Sequence, residues 1–221
     1  MAVPSAAIDV DESETLDAIG LRHGTDKASD RNKYLSFYAQ FLEPIRYQPV
    51  RVMEIGVLGG ASIRMWRDYF PNGSIIGVDI DPQARRHAGE RITIEIANQS
   101  DERDLMRIAA LGPFDLVIDD GSHVWAHQIA TFQRLVQSLA PGGFYVLEDL
   151  DTSYGDYVRH FRGRGGISAA AYLHEASSLL LGSRVLDLSK PNHQHLSPLI
   201  SLIEFIAFSR GTSVIRRRVT L

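Results

Sequence analysis

Acidic side chains gather at the ends of two short apolar runs. Leu116, Val117 and Ile118 lead into Asp119, Asp120 and His123; residues 144–147 lead into Glu148, Asp149 and Asp151. Carboxylates that converge without a basic partner repel one another, so they require raised pKa values or a cation among them. A divalent metal answers that requirement. The competing reading is that Asp120 or Ser122 only caps a helix beginning near His123, where the positive end of the helix dipole favours acid. A single cap leaves the remaining carboxylates unexplained.

Positioning them takes a parallel sheet. Each run is short and continuously apolar, the pattern of a strand covered on both faces. The carboxyl edge of such a sheet is where ligands sit. Residues 50–55 read as a first strand entering Glu54-Ile55-Gly56-Val57-Leu58-Gly59-Gly60-Ala61-Ser62, a glycine turn that lets a ligand approach the backbone. Residues 74–78 read as a second strand ending at Asp79, about twenty residues on, where a carboxylate can accept both hydroxyls of a ribose. Residues 92–96 form a third, followed by Asn98, Gln99, Ser100 and Asp101, side chains that can bond an adenine edge or cap the helix from Glu102. The glycine spacing is not that of a pyrophosphate binder, and Glu54 stands just before it. S-adenosylmethionine, which carries a free amino group, fits this turn better than NAD.

The remaining elements follow from periodicity and punctuation. A short helix is expected over 12–21, stopped near Gly24, after a loose start at 1–11. Tyr34, Phe37, Tyr38, Phe41, Leu42 and Ile45 recur at helical spacing and read as core, with Pro44 and Pro49 closing the segment. Trp125, Ile129, Phe132, Val136 and Leu139 should pack a helix on the sheet, with His127 off that stripe; Pro141-Gly142-Gly143 should end it and launch the fifth strand. Residues 152–166, with Tyr154, Tyr157, His160 and Phe161, read as a long loop over the site. A helix over 167–181 precedes an antiparallel hairpin, 199–208 and 213–218, at the sheet edge; the basic run Arg216 to Arg218 reads as a solvated strand end.

The expected fold is therefore α/β: a doubly wound, mostly parallel sheet of about seven strands with a C-terminal antiparallel hairpin. One domain over 1–221 is expected, with an N-terminal helical segment at 1–46 and a catalytic core at 50–221. At 221 residues and 44% hydrophobic the chain is long enough for a substantial core. A net charge of −4 with both signs interspersed argues against a general nucleic-acid or membrane surface. Cysteine is absent, which removes disulfides, thiolate metal sites and cysteine nucleophiles. With no signal-like or membrane-length apolar run, a cytoplasmic location is expected. A homo-oligomer is compatible with the sequence, which does not fix the oligomeric state.

Taken together, Gly24-Thr25-Asp26-Lys27, Glu54-Ile55-Gly56-Val57, Gly77-Val78-Asp79-Ile80, Asp119-Asp120-Gly121-Ser122-His123, and Pro141-Gly142-Gly143 with Glu148-Asp149-Leu150 resemble the metal-dependent sugar O-methyltransferases of actinobacteria. That group includes the mycinamicin-type macrolide-sugar enzymes and the methyltransferases of mycobacterial polymethylated mannose polysaccharides. The resemblance spans roughly residues 20 to 155 and implies a class I methyltransferase fold, with S-adenosylmethionine and Mg²⁺ as cofactors. It implies that Asp120, Glu148 and Asp149 hold the metal and that His123 is the general base. Around the cofactor it implies Glu54, Asp79, Gln99 and Asp119, with help from Thr25 and Lys27; Gly56 and Ser100 belong to the same turns. Tyr154 and His127 are candidate substrate contacts. The macrolide-sugar enzymes carry a further N-terminal domain not found in this sequence, so a mannose-containing oligosaccharide is the expected acceptor, with a deoxysugar on an antibiotic or nucleotide as the alternative. An NAD-dependent oxidoreductase and a non-catalytic binding module are the readings from other classes.

Overall fold

The computed structural model describes residues 14–182 and 186–219. The expected loose start and Glu12 lie outside the described residues. The strands are β1 (Arg51–Ile55), β2 (Ser74–Asp79), β3 (Ile92–Ile96), β4 (Phe114–Asp119), β5 (Leu139–Leu147), β6 (Ile203–Ser209) and β7 (Thr212–Arg217). The helices are α1 (Leu16–His23), α2 (Leu35–Leu42), α3 (Ala61–Tyr69), α4 (Glu102–Ala109), α5 (Trp125–Leu135), α6 (Val158–Phe161), α7 (Ala169–Leu180) and α8 (Pro191–Ile200).

One seven-stranded sheet runs in the order β3-β2-β1-β4-β5-β7-β6. The β1–β5 pairings are parallel, and β7 pairs antiparallel with both β5 and β6, as the hairpin predicted. Strand order reverses between β1 and β4, so the crevice for a ligand opens at their carboxyl ends. Side-chain alternation divides the core in two. Val52, Leu116, Ile118 and Val146 face the layer containing α1, α2 and α3. Met53, Val117, Tyr145 and Leu147 face the layer containing α5, α7 and α8.

Local chemistry sets the helix ends. Thr15 accepts from the Ala18 N–H to start α1, and Gly24 closes it at φ 70°. Asp101 accepts from Arg103 and Asp104 to start α4, as expected.

The structure corrects several expectations. α5 begins at Trp125 without a side-chain cap, so neither Asp120 nor Ser122 caps it; His123 has φ 57°, which breaks the helix before it starts. Pro141, Gly142 and Gly143 lie inside β5, because α5 ends at Leu135 and β5 already pairs with β4 from Leu139. Leu199 and Ile200 finish a helix, α8, that proline-rich periodicity concealed; the hairpin strand starts at Ile203. The basic run is a strand end as expected, half-buried at Arg216 and Arg217 and exposed at Arg218, and it is also held in place: Arg216 lies over the Phe144 ring, Arg217 donates to the Gln137 and Leu139 carbonyls, and Arg218 to that of Ile203. Residues 152–166 hold short helical turns and α6 instead of open loop.

Candidate active site

A cleft of about 580 Å³ opens at the carboxyl edge of the sheet. Gly56, Asp79, Gln99, Ser100, Asp120, His123, His127 and Asp149 all line it. Five separate segments, each following a parallel strand or flanking one, thus bring these residues to one place.

Gly56 enters the cleft at φ 95°, and a Cβ there would lie 2.0 Å from the Asp120 carbonyl oxygen. The two loops can meet only across a glycine. Gly56→Ala should therefore cost at least about 2 kcal/mol of stability, read by chemical denaturation; a variant as stable as the parent would mean the loops do not touch.

Asp79 is already well supplied with donors. One oxygen accepts from the Val57 and Leu58 N–H groups at 2.9 and 3.1 Å, and the other from Asp81 N–H at 2.9 Å. Partial burial pushes its pKa up, but these backbone donors outweigh that and hold it below the usual range. It remains an anion and fixes the glycine turn.

The carboxylates do have a basic partner. Lys27, fully buried, forms ion pairs with Asp120, with Glu148 at 2.8 Å and with Glu54 at 3.4 Å. Burial works against its charge, but three carboxylates hold its pKa well above the ordinary value. One ammonium against Glu54, Asp120, Glu148 and neighbouring Asp149 still leaves a surplus of negative charge. Burial first, and that crowding second, raise the pKa of Glu148 and of Asp149, and push Glu54 up to about 7. The need for a further cation is reduced by Lys27, not removed.

Two tyrosines complete the cluster. Tyr38 donates to Glu148 at 3.0 Å and lies 2.8 Å from Thr212, and Tyr34 donates to Asp149 at 3.1 Å. Burial and these carboxylates keep both phenols protonated. Their stripe does pack the core, as its spacing predicts, but the hydroxyls do more. The choice of Tyr over Phe at these two positions was the available signal.

His123 Nε2 lies 3.4 Å from Asp149 Oδ2, its Nδ1 is buried without a hydrogen-bond partner, and its ring meets Phe161 edge-on at 6.0 Å. Both His123 and Asp149 sit in the left-handed backbone region, at φ 57° and 54°. Two strained non-glycine residues facing each other mark a place where geometry is held against local preference. Ligand atoms of Asp120, His123 and Asp149 all lie within 4.8 Å of one another. The third expected ligand, Glu148, turns toward Lys27 and Tyr38 instead. Two carboxylates and one imidazole are a donor set able to take a divalent ion, and the hard oxygens suit magnesium.

Several residues expected around the cofactor lie elsewhere. Thr25, Lys27, Glu54 and Asp119 are buried and do not line the cleft. Glu54 follows Val52 in the alternation of β1, so it points at Lys27 and accepts from Ser62 at 2.7 Å. Asp119 follows Val117 onto the opposite face. There Gln99 donates to it at 2.6 Å and Tyr145 at 3.1 Å, while burial pushes it up to about 7 against those bonds. It neither reaches the cleft nor orients His123; that partner is Asp149. Through Gln99, whose other amide atom accepts from Ser122 N–H at 2.9 Å, Asp119 steadies the turn before His123. His127 pairs with Ser122 Oγ at 2.9 Å, with its pKa lowered by burial. Tyr154 is exposed and outside the cleft lining.

The sheet order, the glycine turn under Asp79 and the ligand crevice between β1 and β4 are those of the class I S-adenosylmethionine-dependent methyltransferase fold. A family model described as a methyltransferase domain matches residues 53–150. The resemblance to actinobacterial sugar O-methyltransferases holds. The chain is 45% identical over 157 residues to 8-demethyl-8-alpha-L-rhamnosyl tetracenomycin-C 2'-O-methyltransferase of Streptomyces olivaceus, covering 67% of this chain and 41% of that protein. It is 41% identical over 148 residues to mycinamicin VI 2''-O-methyltransferase of Micromonospora griseorubida, covering 63% of this chain and 37% of that protein. Among solved structures, the mycinamycin-pathway methyltransferase MycE in complex with Mg and SAH superposes with a TM-score of 0.80 at 29% identity, over 93% of this chain and 54% of that one. The chain thus spans less than half the length of these curated relatives.

Proposed function

We propose that this chain is the catalytic core of an S-adenosylmethionine- and Mg²⁺-dependent O-methyltransferase that methylates a sugar hydroxyl of a small glycoside. The convergence of Asp120, His123 and Asp149 on the same cleft as Asp79 and Gln99 carries this reading. Asp120 and Asp149 hold the magnesium, with Glu148 behind them fixing Asp120 through the shared Lys27. Magnesium bound there lowers the pKa of a neighbouring sugar hydroxyl and stabilises the developing alkoxide. His123 accepts the hydroxyl proton, and Asp149 and Phe161 fix its ring. Asp79 accepts from the ribose and keeps the glycine turn in place under the nucleoside. Holding an acceptor hydroxyl and the cofactor's methyl group together in this one cleft would add the contribution of alignment.

Within that class, a deoxysugar glycoside is the acceptor we favour over a mannose oligosaccharide. Its support is the names of the relatives: alongside the rhamnosyl enzyme, the chain is 40% identical to L-olivosyl-oleandolide 3-O-methyltransferase of Streptomyces antibioticus over 42% of that protein. Methyl transfer from labelled cofactor to rhamnosides, olivosides and mannosides, with magnesium and with EDTA, tests both levels. Transfer to a rhamnoside or olivoside that stops in EDTA is expected. Full activity in EDTA would remove the metal, and transfer to mannosides alone would restore the polysaccharide reading. Calorimetry with NAD beside S-adenosylmethionine separates the oxidoreductase reading.

Asp79→Ala should weaken S-adenosylhomocysteine by about 1 to 3 kcal/mol, the scale of a charge-assisted hydrogen bond, as measured by calorimetry. An unchanged dissociation constant would put the nucleoside elsewhere.

A further inference from the structure

The turn after α1 carries a carboxylate that no part of the foregoing scheme uses. Four carboxylates line the cleft: Asp26, Asp79, Asp120 and Asp149. Three are engaged already. Asp79 accepts from backbone N–H groups, Asp120 pairs with Lys27, and Asp149 is held by Tyr34 beside His123. Asp26 alone among them has no side-chain hydrogen bond or ion pair with any described residue, and it is exposed to the cleft.

Its place is fixed from both sides. Thr25 is buried and its N–H donates to the Gly20 carbonyl at 3.2 Å; Lys27 is buried in the carboxylate cluster. The Lys27 carbonyl accepts from Tyr34 N–H at 2.9 Å, and the Asp26 carbonyl from Asn32 N–H at 2.9 Å. With both neighbours turned inward, the side chain between them is presented outward to the cleft. A carboxylate displayed on a rigid turn, facing a ligand cavity and with no partner among the described residues, is placed to accept from a cationic donor. The metal is not that donor: the cluster of mutually close ligand atoms comprises Asp120, His123 and Asp149 and leaves Asp26 out.

We propose that Asp26 binds the α-ammonium group of the cofactor's amino-acid moiety. This rests on the reading of the cleft as an S-adenosylmethionine site. The ammonium offers three N–H donors to a carboxylate, whereas the sulfonium offers none and must face the acceptor hydroxyl near His123. Asp79 holds the nucleoside end, so Asp26 fixes the other end and with it the direction of the sulfur–methyl bond.

The test compares two neutral-sulfur nucleosides on the full chain by calorimetry. S-adenosylhomocysteine keeps the amino-acid moiety; 5′-methylthioadenosine lacks it. Asp26→Asn should weaken S-adenosylhomocysteine about ten- to a hundredfold, the range expected for one charged hydrogen-bonded contact, and leave 5′-methylthioadenosine unchanged. The second ligand also reports that the variant is folded. S-adenosylhomocysteine binding at parental affinity, or equal weakening of both nucleosides, would overturn the assignment. A parent chain that binds neither nucleoside would overturn the cofactor reading along with it.

Discussion

His123→Ala should lower kcat by about 10²- to 10⁴-fold, the range typical of a lost general base, with the affinities for S-adenosylmethionine and magnesium nearly intact. The imidazole lies at the cleft beside Asp149, and its loss removes a proton acceptor while leaving Asp120 and Asp149 in place. Because His123 Nε2 is also close enough to the two carboxylates to serve as a ligand, the rate must be measured across a magnesium titration. Recovery of the parental rate at high magnesium would make His123 a ligand and not the base. Alanine is disfavoured at the left-handed backbone of this position, so His123→Asn, a residue that tolerates that conformation, supplies the control. Both variants should lose the same rate; only the alanine should also lose stability.

Lys27→Met should destabilise the protein by about 3 to 5 kcal/mol, the usual cost of removing one partner from a buried ion cluster. Methionine matches the stem but leaves Glu54 and Glu148 buried without their counter-ion. The pH dependence gives the loss a recognisable sign. Glu54 and Asp119 are each pushed up to about 7, first by burial, above the values near 4 that an unfolded chain shows. Between about pH 4 and 7 the folded protein therefore holds protons that the unfolded chain has released, and stability falls as pH rises through that window. The metal-free parent should melt at a higher temperature near pH 5 than near pH 8. In Lys27→Met, Glu54 loses the charge that most lowers its pKa, so the fall should steepen and extend above pH 7. Flat melting temperatures in both proteins would mean that the cluster carries no surplus charge.

Sequence periodicity located the sheet well because each parallel strand is a short apolar run and each ends in its own chemical signature. The third strand matches residue for residue, and the antiparallel hairpin was recognisable from its turn at Arg210 and Gly211. β5 is longer than its apolar run because Pro141, Gly142 and Gly143, which normally stop structure, here lie near the start of the strand, next to the pairing irregularity of β4 between Phe114 and Leu116. At the site, the residues that follow strands came together as expected, but their directions did not follow from proximity alone. Strand alternation separates Glu54 and Glu148 from Asp119, and counting from Val52, Val146 and Val117 would have revealed it. Lys27, Tyr34 and Tyr38 were harder. Their hydrogen-bonded carboxylates lie 93 to 121 residues away, and although tyrosine in place of phenylalanine signals a partner, nothing local in a polar turn or an apolar stripe says where it lies.

Those same separations govern the order in which the protein can be made. Lys27 and Tyr38 emerge from the ribosome long before Glu148, and Thr212, which meets the Tyr38 hydroxyl, follows 174 residues after it. Closing such long loops carries an entropic penalty before any contact rewards it. Until β4 and β5 have aligned beside β1, the buried ammonium has only Glu54 of the three carboxylates that hold it. The acid-rich edge of the sheet is likewise without its internal counter-charge until the helices that precede β1 dock on it. Docking of α1 and α2 is thus an electrostatic neutralisation as well as an apolar one, and a late event in folding. A nascent chain halted before β5 should leave that N-terminal segment open to proteolysis, although every residue of α1 and α2 has already been synthesised.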